Sequence, residues 1–289
     1  MIERQKQFRV QLLVSIMKGL SKLKIGCSGW SYPQDWKDIF YHSSSSLLRQ
    51  YLSYFKTAEV NSTFYALPKP AFVKHLASIE DSDISFTAKI PQAVTHDNRL
   101  DLSTEAGTVL HEFFNLLKPI QNKIAALLIQ LPPWDISNMG NLETFLSALD
   151  SSFRYAIEFR HESWLTQKVW TLLEDFGIAH VIVDEPKLPI DLRITTDFSY
   201  IRWHGHGTEI WYKYLYSIEA LQDWRPRLLD VMDRTETVFG YFNNHFYGYA
   251  PFNALQMLEM MNLINSKQKK KLERMGKQFS QEQTTLDQF

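Results

Sequence analysis

Tyr155-Ala156-Ile157-Glu158-Phe159-Arg160, a helix-period segment over 165–176, and Ile178-Ala179-His180-Val181-Ile182-Val183-Asp184 together decide the fold. Two short apolar runs joined by one amphipathic helix read as a parallel βαβ unit, because parallel strands need a crossover that covers the sheet. The same alternation recurs outward in both directions. Apolar runs fall at 23–28, 58–61, 84–90 and 124–131 on one side, and at 200–204 and 238–243 on the other. Helix-period segments lie at 47–55, 70–79, 104–117, 142–149, 218–232 and 250–264. Only 185–197, with Pro186 and Pro189, reads as a loop.

Eight such units predict an α/β chain closed as a single (β/α)8 TIM-type barrel, for which about 250 residues is usual. The rival, an open doubly wound sheet, calls for a glycine-rich phosphate turn after the first strand. Cys27-Ser28-Gly29-Trp30 stands there, with no G-x-G-x-x-G. The expected divisions are a short N-terminal arm over 1–22, the barrel over 23–265, and a basic, flexible C-terminal tail over 266–289.

Composition narrows the function classes. The 289 residues carry 31 Lys and Arg against 32 Asp and Glu. No global basic field advertises nucleic acid, so such a partner would meet a local patch. One cysteine, Cys27, excludes a disulfide framework and a four-cysteine zinc site, and a reducing cytoplasm is the expected location. No apolar run is long enough to span a membrane. The segment 10–17, after Arg4, Lys6 and Arg9, faintly resembles a signal peptide. Gln11 and Ser15 interrupt it and no small-x-small site follows, so an amphipathic arm is the expected reading.

In a barrel the carboxyl ends of the strands line the site, and the inward face alternates along each strand. Those ends supply Glu59 and Asn61, Lys89, Gln130, Glu158 and Arg160, Asp184, Arg202 and His204, and Asn243, with His96 in the loop after the third strand. Aromatic residues, Trp30 and Tyr65 among them, flank the same ends and could stack on a base or sugar. One reading is a set of internal ion pairs closing the barrel top, such as Glu158 with Arg202. The functional reading is a mixed-charge pocket for an anionic ligand, in which Glu158 is the acid or base and Glu59 the second carboxylate. Arg160, Arg202 and Lys89 then bind the anion, and His96 and His204 carry protons. The cofactor is unknown. A divalent metal could use His96, Glu158, Asp184, His204 and His206, although Gly205 favours a turn inside His204-Gly205-His206.

The ordered elements Gly26-Cys27-Ser28-Gly29-Trp30-Ser31-Tyr32, Glu59-Val60-Asn61-Ser62-Thr63-Phe64-Tyr65, Lys89 with Thr95-His96, Gln130-Leu131-Pro132-Pro133, Glu158-Phe159-Arg160-His161 with Trp164, Arg202-Trp203-His204-Gly205 and Phe242-Asn243-Asn244 resemble the YecE-like family, a domain of unknown function. The resemblance spans 23–262 and implies a TIM-type barrel. It supplies no substrate. The ending Gln283-Thr284-Thr285-Leu286-Asp287-Gln288-Phe289 is similar to the Q-x-x-L-x-x-F peptide that docks on sliding clamps of the PCNA type. One helical turn would place Leu286 and Phe289 in an apolar groove with Gln283 at its edge.

Three functions follow. The first is a clamp-tethered phosphodiester hydrolase acting on DNA. The second is an enzyme of small phosphorylated or carboxylated metabolites whose tail motif is accidental. The third is a non-catalytic ligand-binding module.

Overall fold

The computed structural model describes residues 22–286, with side chains described as far as residue 280. Eight parallel strands run β1 (Leu23–Cys27), β2 (Thr57–Val60), β3 (Ser85–Lys89), β4 (Ile124–Gln130), β5 (Tyr155–Glu158), β6 (Ala179–Asp184), β7 (Phe198–Trp203) and β8 (Thr237–Phe242). Each pairs with its neighbour in sequence from β2 to β8, and β8 returns to β1. Every strand starts within two residues of its expected position.

The outer layer comprises α1 (Leu47–Leu52), α2 (Ser62–Tyr65), α3 (Pro70–Ala77), α4 (Glu105–Leu117), α5 (Leu142–Ser147), α6 (Gln167–Phe176), α7 (Ile218–Arg234), α8 (Tyr249–Met260) and α9 (Ser266–Leu286). Local chemistry sets several starts. Thr104, Asn141, Thr166 and Ser217 each accept a backbone N–H of the first turn of α4 to α7. The link between β6 and β7 contains no helix, as its two prolines predicted.

Parity along the strands separates two apolar layers. Ala126, Leu128, Ala156, Val181, Val183, Phe198, Tyr200, Phe239 and Tyr241 pack together in the barrel interior. Residues of the alternate parity, such as Ile157, Ile182, Ile201, Trp203 and Phe242, pack in the larger core with the helices. Polar pairs also stand among the interior side chains, where Tyr241 meets Thr57 at 2.7 Å and Tyr200 meets Thr87 at 2.8 Å.

The ring is nearly closed. β1 and β2 are joined by one parallel bridge, Ser28 with Glu59. Below it the Tyr51 hydroxyl stands in the ladder, accepting from Cys27 N at 2.7 Å and donating to Thr57 O at 2.9 Å. Gly26 makes room for this arrangement. A Cβ there would lie 2.3 Å from Thr57 O and 2.8 Å from the Tyr51 hydroxyl.

The boundary expected at residue 265 does not hold. Residues 266–280 belong to a helix that packs on the barrel rather than to a detached tail. Leu272, Met275 and Phe279 are buried, and the Phe279 ring lies 4.7 Å from that of Phe252. Their spacing of three and four residues is a narrow helical stripe, hidden in the sequence by the surrounding charges. Lys271, part of the cationic run, is buried and donates to Ile39 O and Phe40 O at 3.0 and 2.5 Å. The N-terminal arm to residue 21 and Phe289 lie outside the described residues, as do the side chains of Gln283 and Leu286.

Tyr51→Phe removes the group bridging the seam and leaves a buried donor and acceptor unpaired, at about 1–3 kcal/mol. Urea denaturation should show that loss with an unchanged slope. An unchanged midpoint would show that the hydroxyl does not hold the seam.

Candidate functional site

The carboxyl ends of the strands bring the predicted side chains together in two tiers. The lower tier is an ion-pair network centred on Arg202, which is 1% exposed. Its Nη2 donates to Glu59 Oε1 at 2.6 Å, and its Nη1 donates to Glu158 Oε2 at 2.6 Å and to Gln130 Oε1 at 3.0 Å. Tyr200 donates to the second Glu59 oxygen at 2.6 Å. Arg160 Nε donates to Glu158 Oε1, and its Nη1 donates to Glu185 Oε2 at 2.8 Å. The ion-pair reading of Glu158 with Arg202 is therefore correct in its geometry.

Burial alone would raise the Glu158 carboxyl. Arg160, Arg202 and His204 outweigh it and hold the group well below the ordinary carboxylate range. Both oxygens are already engaged and the side chain is fully buried. Glu158, expected as the acid or base, and Glu59, expected as the second carboxylate, are thus both buried and held in ion pairs. His204 lies in the same tier, with Nε2 3.0 Å from Arg160 Nη2 and Nδ1 2.9 Å from the Asn243 amide nitrogen. Burial first, then the Arg160 guanidinium, lower it to about 3. It is buried between Arg160 and Asn243.

The upper tier is a cleft of about 800 Å³. Lys89, Arg160, Arg202, Gln130, Asn61, Asn243, His96 and Tyr65 all face it, whereas Glu59, Glu158 and His204 do not. Trp30 also lies outside this lining and stacks on Phe72 at 6.4 Å. Lys89 Nζ donates to Gln130 Oε1 at 3.0 Å and sits 4.0 Å from the centre of the Phe64 ring. Burial first, then Arg202, lower Lys89 to about 7 against the smaller pull of Glu59 and Glu158. His96, its Nδ1 2.8 Å from the Thr95 hydroxyl, is lowered to about 4 by burial and by Lys89. Three buried polar atoms of the site, Asn61 Oδ1, Glu185 Oε1 and Arg202 Nε, have no protein partner.

The metal reading fails on geometry. Gly205, at φ 90°, turns the chain between the two histidines. His204 then faces Arg160, while His206 meets Asp184 at 2.6 Å on the outer side of β6. Asp184 also accepts from Trp224 Nε1 of α7 at 2.7 Å, so it belongs to the helix layer. Among the described residues no three His, Cys, Asp or Glu side chains gather into a metal-binding set.

Sequence reasoning missed the walls. Residues 209–212 of the loop between β7 and α7, with Tyr32 and His245, complete the lining. Tyr32 stacks on His245 at 4.5 Å, and His245 on Tyr212 at 5.4 Å. The length of that loop was a readable signal, since βα loops are usually short. Glu185 and Tyr200 were missed as partners, although Tyr200 shares the inward parity of Arg202.

Comparison with known proteins identifies the family and the fold. Residues 24–277 match the family described as protein of unknown function DUF72, and the chain belongs to that family. It is 26% identical over 269 residues to UPF0759 protein YunF of Bacillus subtilis, covering 83% of this chain and 94% of that protein. It is 27% identical over 207 residues to UPF0759 protein YecE of Escherichia coli, covering 63% and 73%. A DUF72 family protein of Thermotoga maritima superposes with a TM-score of 0.71 at 30% identity, covering 83% of this chain and 99% of that one. One from Enterococcus faecalis shares the fold, with a TM-score of 0.72 at 21% identity over 84% and 97%. The match to residue 277 takes in the packed part of α9.

Arg202→Met strips two buried carboxylates of their shared partner. The expected loss is about 3–5 kcal/mol, the usual result of breaking a buried pair from one side. Calorimetry on the variant should show a large fall in melting temperature. Wild-type stability would mean that Glu59 and Glu158 do not depend on the guanidinium.

Proposed function

We propose that the chain is an enzyme acting on a small anionic substrate, one bearing a carboxylate or phosphate, held in the cleft at the carboxyl ends of the strands. One observation carries the reading. Lys89, Arg160 and Arg202 line the cleft, while the buried carboxylates Glu59 and Glu158 that balance the arginines lie beneath it. An entering anion meets N–H donors on the near side and the opposing charge on the far side. Arg160 keeps a second N–H on each terminal nitrogen, which suits a bidentate contact with carboxylate or phosphate. Asn61 and Asn243 would fix the orientation of polar substituents, and Tyr65 and Tyr212 offer faces for the apolar part.

The same geometry favours a metabolite over DNA hydrolysis. The hydrolase reading used Glu158 and Glu59 as reacting carboxylates, and both are consumed by arginines. Lys89, lowered to about 7, is a cleft-facing group that can exchange a proton near neutrality, whereas His96, lowered to about 4, is neutral there.

Lys89→Met tests this reading without stranding a carboxylate, because no ion pair of Lys89 is found among the described residues. Titration of the wild type with malonate and with phosphate should give saturable binding. The variant should bind about tenfold more weakly, a difference of about 1.4 kcal/mol. Identical affinities, or none in the wild type, would remove the anion reading.

Tethering to a PCNA-type clamp through Gln283, Leu286 and Phe289 is a separate proposal, supported by the sequence motif alone. A cognate clamp should bind the full chain and lose a chain ending at Glu282, since two anchors of about 1.5–3 kcal/mol each are removed. Equal affinity for both would show the motif to be a coincidence.

A further inference from the structure

We propose that Lys89 is an amine nucleophile, forming an imine with a carbonyl carbon of the anionic ligand in this cleft. The proposal rests on the anion reading above and adds the class of ligand and the bond that forms. Its basis is placement. Lys89 is the last residue of β3, inward by parity, so the backbone ladder to β4 fixes its Cα. Its side chain is only 7% exposed, yet it faces the cleft. Around Nζ stand the Phe64 ring and the acceptor Gln130 Oε1, and no carboxylate reaches ion-pair distance among the described residues.

That surrounding is unlike a site made to hold an ammonium. An ammonium has three donors, and one acceptor oxygen is in place for them. The aromatic face offers some compensation. Burial and Arg202 prevail, and with Lys89 lowered to about 7 a large fraction is neutral amine at physiological pH. Lysines desolvated or set beside another cation in this way are the ones that serve as nucleophiles. Lys271 is also lowered, to about 8, but its nitrogen is spent on two backbone carbonyls away from the cleft.

The spacing selects the ligand. Lys89 Nζ and Arg202 Nη1 each lie 3.0 Å from the same oxygen, Gln130 Oε1, so the two nitrogens are at most twice that distance apart. A ligand with its oxo group on the carbon next to a carboxylate, or close to a phosphate, could reach both. The anion would replace Gln130 Oε1 on the second N–H of Arg202 Nη1, the first staying on Glu158, while its carbonyl carbon faces the amine.

The step balances without an outside oxidant. The Nζ lone pair forms the C–N bond as the carbonyl π pair moves to oxygen. A proton passes from nitrogen to that oxygen, giving a carbinolamine. The hydroxyl then takes a further proton and leaves as water as the nitrogen lone pair forms C=N. Amine, carbonyl and one proton from solvent have become a protonated imine and water, and the protonated imine can draw electrons from an adjacent bond.

The experiment incubates the full chain with pyruvate, or with dihydroxyacetone phosphate, in the presence of cyanoborohydride. Intact mass and peptide mapping then locate the reduced adduct. At pH 7 the neutral fraction of Lys89 exceeds that of an ordinary lysine by roughly a thousandfold. The expected result is one adduct, on Lys89, that forms faster as pH rises to about 7 and levels off above it. It should be absent in Lys89→Met and slowed by malonate. Adducts spread evenly over the lysines, or unchanged in Lys89→Met, overturn the proposal. Calorimetric titration with malonate separates the two readings. Malonate binding without a Lys89 adduct removes the nucleophile and leaves the anion site. Absence of both removes both.

Discussion

The structure turns on one guanidinium. Arg202, on β7, reaches across the barrel to Glu59 on β2 and to Glu158 on β5, and so ties three separated strands at one level. Taking those charges out of water is expensive, and their attraction offsets the expense only where geometry is good and every remaining lone pair is engaged. The geometry is good here and all four oxygens of Glu59 and Glu158 are engaged, while Arg202 Nε keeps no protein partner. Tyr200 takes the free oxygen of Glu59, and Arg160 takes that of Glu158. A lysine could not reproduce the pattern, since a single ammonium lacks the planar fork that serves two carboxylates from different terminal nitrogens.

That saturation decides what the site can do. Carboxylates locked into arginines are poor proton carriers and poor metal ligands, and the histidine beside them is held neutral. Charge is thus sorted by depth, with anions below and cations facing the cleft. The sorting also explains Lys89. Placed beside Arg202, over a phenyl ring and without a carboxylate partner, its ammonium loses the stabilisation that its neighbours enjoy. Burial first, and then the guanidinium that secures the barrel top, lower this cleft-facing lysine.

Much of this was legible in the sequence because a parallel barrel writes itself in two periods. The strand runs and their inward parity followed from apolar alternation, and the polar residues at the strand ends followed from parity. Residues 59, 89, 130, 158, 160, 202, 204 and 243 do converge. Depth was not legible. Period two puts Glu158 and Arg160 on one face but does not say that the carboxylate will be sealed beneath the guanidinium. Nor does it reveal a partner from a loop, such as Glu185. Asp184 shows the converse failure, since parity on β6 turns it outward to Trp224. The last helix was misread because three apolar residues among many charges make a weak signal, although a narrow stripe suffices when the groove that receives it already exists.

Floor and walls of the cleft have different physical origins. The floor comes from strand ends, whose positions are fixed by backbone ladders and by the Arg202 network, so its charge pattern is rigid. The walls come from loops after β3, β7 and β8, where His96, Tyr212 and His245 sit. Even there the geometry is braced. Asn244 donates to Tyr214 O and to Asn253 Oδ1, both at 2.8 Å, which binds the loop after β7 to the start of α8. On the proposed reading, fixed charge below would select the anion and position the amine. The stacked rings above, contributed by segments that strand pairing does not constrain, would then select the body of the molecule that the anion belongs to. A change of substrate would therefore be expected in the walls first, with the floor left as it is.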